Sequence, residues 1–329
     1  MTGDEIVLGV DIGGTTTSFG FVDRKGNLLA DGEIPTQAEQ SPETLVARLH
    51  IKIEELRSGL SPKLQLKGIG IGAPNANYFR GTVENPPNLS WGASTNLVEL
   101  FRNFYDLPIA ITNDANAAAL GEMYFGGARL MKDFIVITLG TGLGSGIVVN
   151  GKLVYGAGGF AGELGHTVVD PAGRRCACGK QGCLETYVSA TGLCRTAFVL
   201  LADRREASPL RDLNYHQLTA KHIYDAASDG DPIALEAFDY TARILGMKLA
   251  DAVAHTGPEA IFLFGGLASA GELLLTPAQK YLEEFLFTPY KGKVRLLLSE
   301  MEEGSSAIMG ASALIWHEMQ KQMISNPPD

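Results

Sequence analysis

Three of the four cysteines in this 329-residue chain fall within eight residues, Cys176, Cys178 and Cys183, and a histidine, His166, stands ten positions ahead of the first. Three thiolates and an imidazole are the donor set of a closed tetrahedral zinc site. Gly173, Gly179 and Gly182 give the backbone the freedom to bring the sulfurs together. Four protein ligands leave no position open for water, so the expected metal is structural Zn2+ and not catalytic. Carboxylates flank the cluster at Glu163 and Glu185, and a knotted loop between them fixes where both point. Cys194, eleven residues on, has no partner in the spacing and reads as a small core residue.

A second polar group gathers at element ends: Asn88 in NPPNLSW, and Asn113-Asp114 in ITNDANAAALGE, where an apolar strand gives way to a helix. An aspartate at a helix start is ordinarily an N-cap. Here its company is amides and carboxylates in numbers that suit a ligand covered in hydroxyls, and one aspartate among them can take a proton. A third type of site is a turn rich in Gly and Thr between two strands, which wraps an anion with backbone N–H groups and a hydroxyl. DIGGTTT (Asp11, Gly13, Gly14, Thr15, Thr16) and LGTGLGSG (Thr141, Gly142) both fit, and the chain has no G-x-x-x-x-G-K-[ST]. Asp11, at its strand end, is placed to hold hydrated Mg2+, and Gly265-Gly266 in FLFGGLAS is a third such turn, suited to a nucleoside.

These residues need elements to carry them. Residues 5–34 read as three short strands joined by tight turns, 41–58 as a helix, LKGIGIGAP and LPIAITND as strands, and DANAAALGEMYF as a helix. Residues 133–158 repeat the strand, Gly-rich turn, strand, turn, strand order, with Gly14-Thr15 over Gly140-Thr141 and Gly20 over Gly146. The same turn in the same context twice indicates a duplicated unit. Helices over 231–254 and 269–286, strands AIFLFGG and VRLLL, and a closing helix through GSSAIMGASALIWHEMQ complete the chain.

Length suggests two domains. Apolar residues make up 45% and the net charge is −10, so there is no general attraction for nucleic acid or anionic membrane. No membrane span or signal peptide is read, and clustered thiols in so few cysteines fit a cytoplasmic protein.

DIGGTTT, NDANAAALGE, LGTGLGSGI, GFAGELGH and CACGKQGCLE together resemble the ROK family (repressors, open reading frames and sugar kinases), over about residues 6–318. The resemblance implies an α/β fold of two actin-like (ribonuclease-H-like) domains with a cleft between them. The first is expected over 1–114, with a closing helix at about 305–322 packed back on it, and the second, with the zinc loop, over 115–304. It implies an ATP-dependent sugar kinase. Asp114 would be the base on the sugar hydroxyl, and Asn113, Glu163, His166 and Glu185 would hold the other hydroxyls, His166 with one nitrogen while the other binds zinc. The Gly-Thr turns would hold the phosphates of ATP. Asn75 stands where the family has Gly beside the sugar. ENPPNLSW resembles the glucokinase branch, so glucose is the expected substrate, with N-acetylglucosamine, N-acetylmannosamine and fructose as rivals. A sugar-responsive repressor reading would need a DNA-binding domain ahead of residue 11. A homo-oligomer, dimer or tetramer, is expected.

Overall fold

The computed structural model describes residues 4–301 and 303–325. The chain divides into two compact units, one of Met1–Leu130, Leu153–Ala161 and Glu300–Asp329, the other of Met131–Lys152 and Gly162–Ser299.

The first unit begins with β1 (Glu5–Ile12), β2 (Thr16–Asp23) and β3 (Leu28–Pro35), an antiparallel meander. Helix α1 (Pro42–Ser58) follows, with Ser41 as its N-cap, the hydroxyl accepting from Thr44 N. Strand β4 (Gln65–Gly72) then runs parallel to β1. Three very short strands, β5 (Ala76–Asn77), β6 (Thr82–Glu84) and β7 (Ser94–Asn96), make a small separate sheet. After α2 (Leu97–Arg102), β8 (Ile109–Thr112) pairs parallel with β4, and α3 (Asp114–Tyr124) leaves its end. The main sheet has the order β3-β2-β1-β4-β8. Ile6, Leu8, Val10, Phe21, Ile69 and Ile71 are buried in its core, as the apolar runs of β1 and β4 require.

The second unit repeats that plan. Strands β9 (Phe134–Leu139), β10 (Leu143–Val149) and β11 (Lys152–Leu153) precede α4 (Ala190–Asp203), α5 (Ala220–Ser228) and α6 (Pro232–Thr256). Strand β12 (Ala260–Phe264), α7 (Glu272–Phe285) and β13 (Arg295–Leu298) close it. The sheet order is β11-β10-β9-β12-β13, with β12 and β13 parallel to β9. Strand for strand this matches the first sheet, so the repeat read from the Gly-Thr turns extends to the whole topology.

The last helix, α8 (Glu303–Ser325), packs on β1, β4 and α3 of the first unit. Glycines permit the approach: a Cβ on Gly9 would lie 2.3 Å from Ile308 O, and one on Gly70 1.8 Å from Ala311 O. Two boundaries differ from the expected 114/115 division. Helix α3 stays with the first unit because it packs against α8, with Gly310 under the Ala117 carbonyl. Leu153–Ala161 also returns to that unit. Tyr155 stacks on Tyr78 with ring centroids 4.1 Å apart, and Asn77 Nδ2 donates to Gly158 O at 3.0 Å. Among the described residues no helix is long and apolar enough to cross a membrane.

Candidate active site and metal centre

In the first unit the candidate site residues lie at the ends of β1, β4 and β8. Asp11 closes β1 opposite Ser18 and Gly72. A Cβ on Gly72 would come 2.9 Å from Asp11 Oδ1, so that glycine makes room for the carboxylate. Burial first, and the negative charge of Asp114 second, push the Asp11 pKa up to about 7. A cation beside Asp11 would relieve both, which is how the site fits Mg2+.

The turn after β1 is tight: Gly13 N donates to Thr16 O at 3.0 Å, and Thr36 ties it down through its N–H to Thr15 O and its hydroxyl to Gly13 O, both at 2.8 Å. Thr15 and Thr16 remain exposed. A Cβ on Gly14 would meet Asn88 Cβ at 2.7 Å, so Asn88 lies against this turn.

Helix α3 resolves the question of the capping aspartate. Asn113 is the N-cap, its Oδ1 accepting from Asn116 N at 2.7 Å. Asp114 is the first helical residue and is exposed, although protein packed around it raises its carboxyl above the ordinary range, opposed by the Ala115 N–H donating to Oδ1 at 2.9 Å. The cap that the sequence ordinarily assigns to Asp is supplied by its neighbour, and Asp114 needs no structural bond across the turn. Asn113 keeps its amide nitrogen and the second lone pair of Oδ1 for other partners.

Asn75 adopts φ +52°, the left-handed conformation that a Gly there would also take. Its Nδ2 donates to Asn85 O at 2.9 Å, and its carbonyl accepts from Glu84 N at 3.1 Å. The side chain is turned into its own loop.

In the second unit β10 organises the site. The turn before it, Gly140-Thr141-Gly142, is held by Gly140 N to Gly142 O at 3.0 Å, and Thr191 Oγ1 donates to Thr141 O at 2.9 Å. Leu143 N donates to Glu185 Oε2 at 3.1 Å, and a Cβ on Gly142 would lie 2.4 Å from that oxygen. Two residues on, Ser145 Oγ donates to Gly162 O and accepts from Leu164 N at 3.2 Å. Glu163, between them, is exposed and precedes the 3-10 turn Leu164–His166. Gly165 lets that turn lie on β10, since a Cβ there would come 2.3 Å from Leu143 O.

The ligand atoms of His166, Cys176, Cys178 and Cys183 lie within 4.8 Å of one another. Cys178 Sγ and Cys183 Sγ are 3.7 Å apart, and His166 Nδ1 is 3.8 Å from Cys176 Sγ. Ligands about 2.3 Å from a tetrahedral zinc are roughly 3.8 Å from each other, so the four donors fit that ion, with Nδ1 as the nitrogen turned to the sulfurs. Two glycines of the loop are demanded by geometry. Gly182 has φ +77° and would drive a Cβ to 1.7 Å from Asp170 O, while Gly173 would meet Tyr187 Oη at 2.0 Å. Arg174 pins the loop to its surroundings, donating to Thr186 O at 2.8 Å, Gly192 O at 3.0 Å and Thr196 Oγ1 at 2.9 Å. Cys194 is buried on α4, apart from the cluster.

Gly265 has φ +98° and passes close over Leu139. Gly266 borders a hollow of about 270 Å3 walled by Ala220, Lys221 and Tyr224 of α5, Phe238 of α6, and Leu267. The α5 residues escape sequence reasoning, because a nine-residue amphipathic helix carries no chemical signature of its own.

Two α/β units, each with a five-stranded sheet of one order and a Gly-Thr turn at its first hairpin, constitute the actin-like fold. The chain belongs to the ROK family, whose model matches residues 7–318. A glucokinase of Halalkalibacterium halodurans is 37% identical over 286 residues, 86% of this chain and 86% of that one. Among solved structures, a ROK family glucokinase from Streptomyces griseus in complex with glucose and AMPPNP is 35% identical, with a TM-score of 0.79 over 94% of this chain and 98% of that chain. A ROK family transcriptional regulator, a homolog of the E. coli MLC protein, has a TM-score of 0.84 at 29% identity, over 95% of this chain and 78% of that one.

Proposed function

We propose that the protein is an ATP-dependent hexose kinase that phosphorylates glucose at the 6-hydroxyl. The observation that carries this is the state of Asp114. Asn113 caps α3 in its place, and the aspartate stays accessible with its proton affinity raised. It sits in a chain 35% identical to a glucokinase that binds glucose and AMPPNP. Phosphoryl transfer asks the protein for position and charge neutralisation. Asp114 orients the attacking hydroxyl and takes its proton, a contribution of roughly 10²–10⁴-fold. A carboxyl held above the ordinary range is a better base at neutral pH than a free aspartate.

The remaining sugar hydroxyls fall to the Asn113 amide and to Glu163, Glu185 and the Nε2 of His166. Asn88 and Asn75 join Asn113 in the first unit's share of the sugar contacts, Asn75 through its backbone turn, since its side chain is engaged with Asn85. The turns at Gly13–Thr16 and Thr141–Gly142 bind ATP phosphates through N–H groups and hydroxyls. The apolar hollow beside Gly266 takes the adenine, with the Gly265–Gly266 turn against the nucleoside. Asp11 holds the Mg2+ that accompanies ATP. That ion, when bound, neutralises charge on the transferring phosphoryl group. Structural Zn2+ on His166, Cys176, Cys178 and Cys183 fixes the loop that carries Glu185.

The test is kcat/KM for glucose, mannose, fructose, N-acetylglucosamine and N-acetylmannosamine under identical Mg-ATP. Glucose should lead, because acceptors covered by a bound sugar and left unpaired by a missing or altered hydroxyl penalise the analogue heavily. An N-acetyl sugar or fructose ahead of glucose would replace the substrate while leaving the kinase class.

A further inference from the structure

Strand β10 positions the two proposed sugar carboxylates of the second unit, Glu163 and Glu185, by different means. Glu185 is held directly, Oε2 on the Leu143 N–H at 3.1 Å. Glu163 is held through its neighbours. The Ser145 hydroxyl donates to the carbonyl of Gly162, the residue before it, and accepts from the N–H of Leu164, the residue after it. Ser145 is itself 4% exposed, inside a strand whose flanking pairs are intact, Gly144 with Thr138 and Gly146 with Val136. A hydroxyl has one donor and two acceptor sites, and this one spends its donor and one acceptor on the two peptide groups that set the φ and ψ of Glu163. That backbone is an inverse γ-turn, φ −77° and ψ +58°, closed by Leu164 N donating to Gly162 O at 2.9 Å, and the Ser145 hydroxyl bridges the two groups that close it. Gly162, at φ +94°, supplies no side chain to hold the approach.

We infer that Ser145 is a positioning residue for sugar recognition: its hydroxyl brackets the Glu163 backbone and thereby aims the Glu163 carboxylate at the substrate. The inference rests on the hexose kinase reading above and adds to it a residue that touches no substrate. Its consequence is a split between the two substrates. The phosphate turn ends at Gly142, and the bracket lies on the other side of Leu143, so loss of the hydroxyl loosens Glu163 without disturbing Thr141.

The experiment is a double-mutant cycle with steady-state kinetics on the purified full chain. Ser145→Ala should raise the KM for glucose at least about five-fold, with the KM for Mg-ATP within about two-fold of wild type. In a Glu163→Gln background the same substitution should change the glucose KM by less than about 1.5-fold, because a residue that acts through another has nothing left to aim. Ser145→Cys, which keeps the shape of the side chain in a slightly larger form with a weaker hydrogen-bonding group, should fall between wild type and alanine, and it gives the reading if the alanine variant folds poorly. An effect of Ser145→Ala that persists undiminished in the Glu163→Gln background would overturn the inference, as would a parallel rise in the KM for Mg-ATP. A wild-type protein that phosphorylates none of the five sugars refutes the kinase reading itself and the positioning role with it.

Discussion

Asn113 caps helix α3 through a 2.7 Å bond from Asn116 N, and the residue beside it, Asp114, is thereby released from helix capping. Of the two polar residues at this helix start, Asn113 supplies the cap and Asp114 carries the proposed base. The division makes the roles separable by mutation, because replacing Asp114 leaves the cap in place.

Asp114→Asn should lower kcat by at least about 10²-fold while glucose affinity, measured by calorimetry, changes far less. The melting temperature should hold or rise slightly, since the raised carboxyl is costly to ionise in the fold. A variant that folds, binds glucose and turns over at close to the wild-type rate would remove Asp114 from the mechanism.

Asp11 yields a prediction about pH. Its folded pKa, near 7, lies above its ordinary 3.8, so between those values the folded state binds more protons than the unfolded one. Stability contributed by this group is therefore present below about pH 4 and is lost as pH rises toward 7. Three pKa units set a ceiling of ~4 kcal/mol. Asp11→Asn should raise the melting temperature of the ligand-free protein by several degrees at pH 8 and by little at pH 4, while activity with Mg-ATP collapses. Equal shifts at both pH values would show that the carboxyl is not destabilised by its surroundings.

The metal centre should hold about one zinc per chain by elemental analysis. Burial pushes the Cys176 thiol up to about 12, so loading the apo protein with Zn2+ near neutral pH should release protons, measurable in buffers of different ionisation enthalpy. Cys176→Ala should lose the metal and increase hydrogen exchange across residues 163–185. Full activity in metal-free protein would exclude a role for the ion in holding Glu185.

Gly266 tests the nucleotide end. A Cβ there meets nothing within 4 Å, so Gly266→Leu should fold and project into the hollow beside Tyr224. The KM for Mg-ATP should rise about ten-fold or more with the glucose KM little changed. An unaltered ATP KM would move the adenine elsewhere.

Asn75→Gly should lose the bond to Asn85 O, worth about 0.5–1.5 kcal/mol, and change the preference among hexoses by less than about three-fold. A larger change would mean that the Asn75 side chain leaves its loop to meet the sugar.

Much of this was legible in the residues themselves. The Cys-x-Cys and Gly spacing gave a donor set whose atoms do converge, and the paired Gly-Thr turns pointed to a duplication that runs through all five strands of each sheet. Strands β5–β7 were illegible because two or three residues leave no alternation to read. The 114/115 boundary failed for a related reason. Whether α3 belongs to one unit or the other depends on a backbone contact with α8, nearly two hundred residues later, that glycines allow but do not announce. Ser145 was invisible as well. A serine in a Gly-rich strand has no local mark of purpose until the turn at Gly162 folds over it.

The packing of α8 on β1 and β4 has a consequence for biosynthesis. The first unit starts ahead of the second in the chain, yet its sheet face with Gly9 and Gly70 stays bare until Ile308 and Ala311 have been translated. The second unit, Met131–Lys152 with Gly162–Ser299, is complete some residues before that. Of the two units, the one begun first is therefore the last to be finished, and a nascent chain stalled near residue 300 would hold a complete second unit and a first unit whose glycine-lined, apolar groove still lacks its helix.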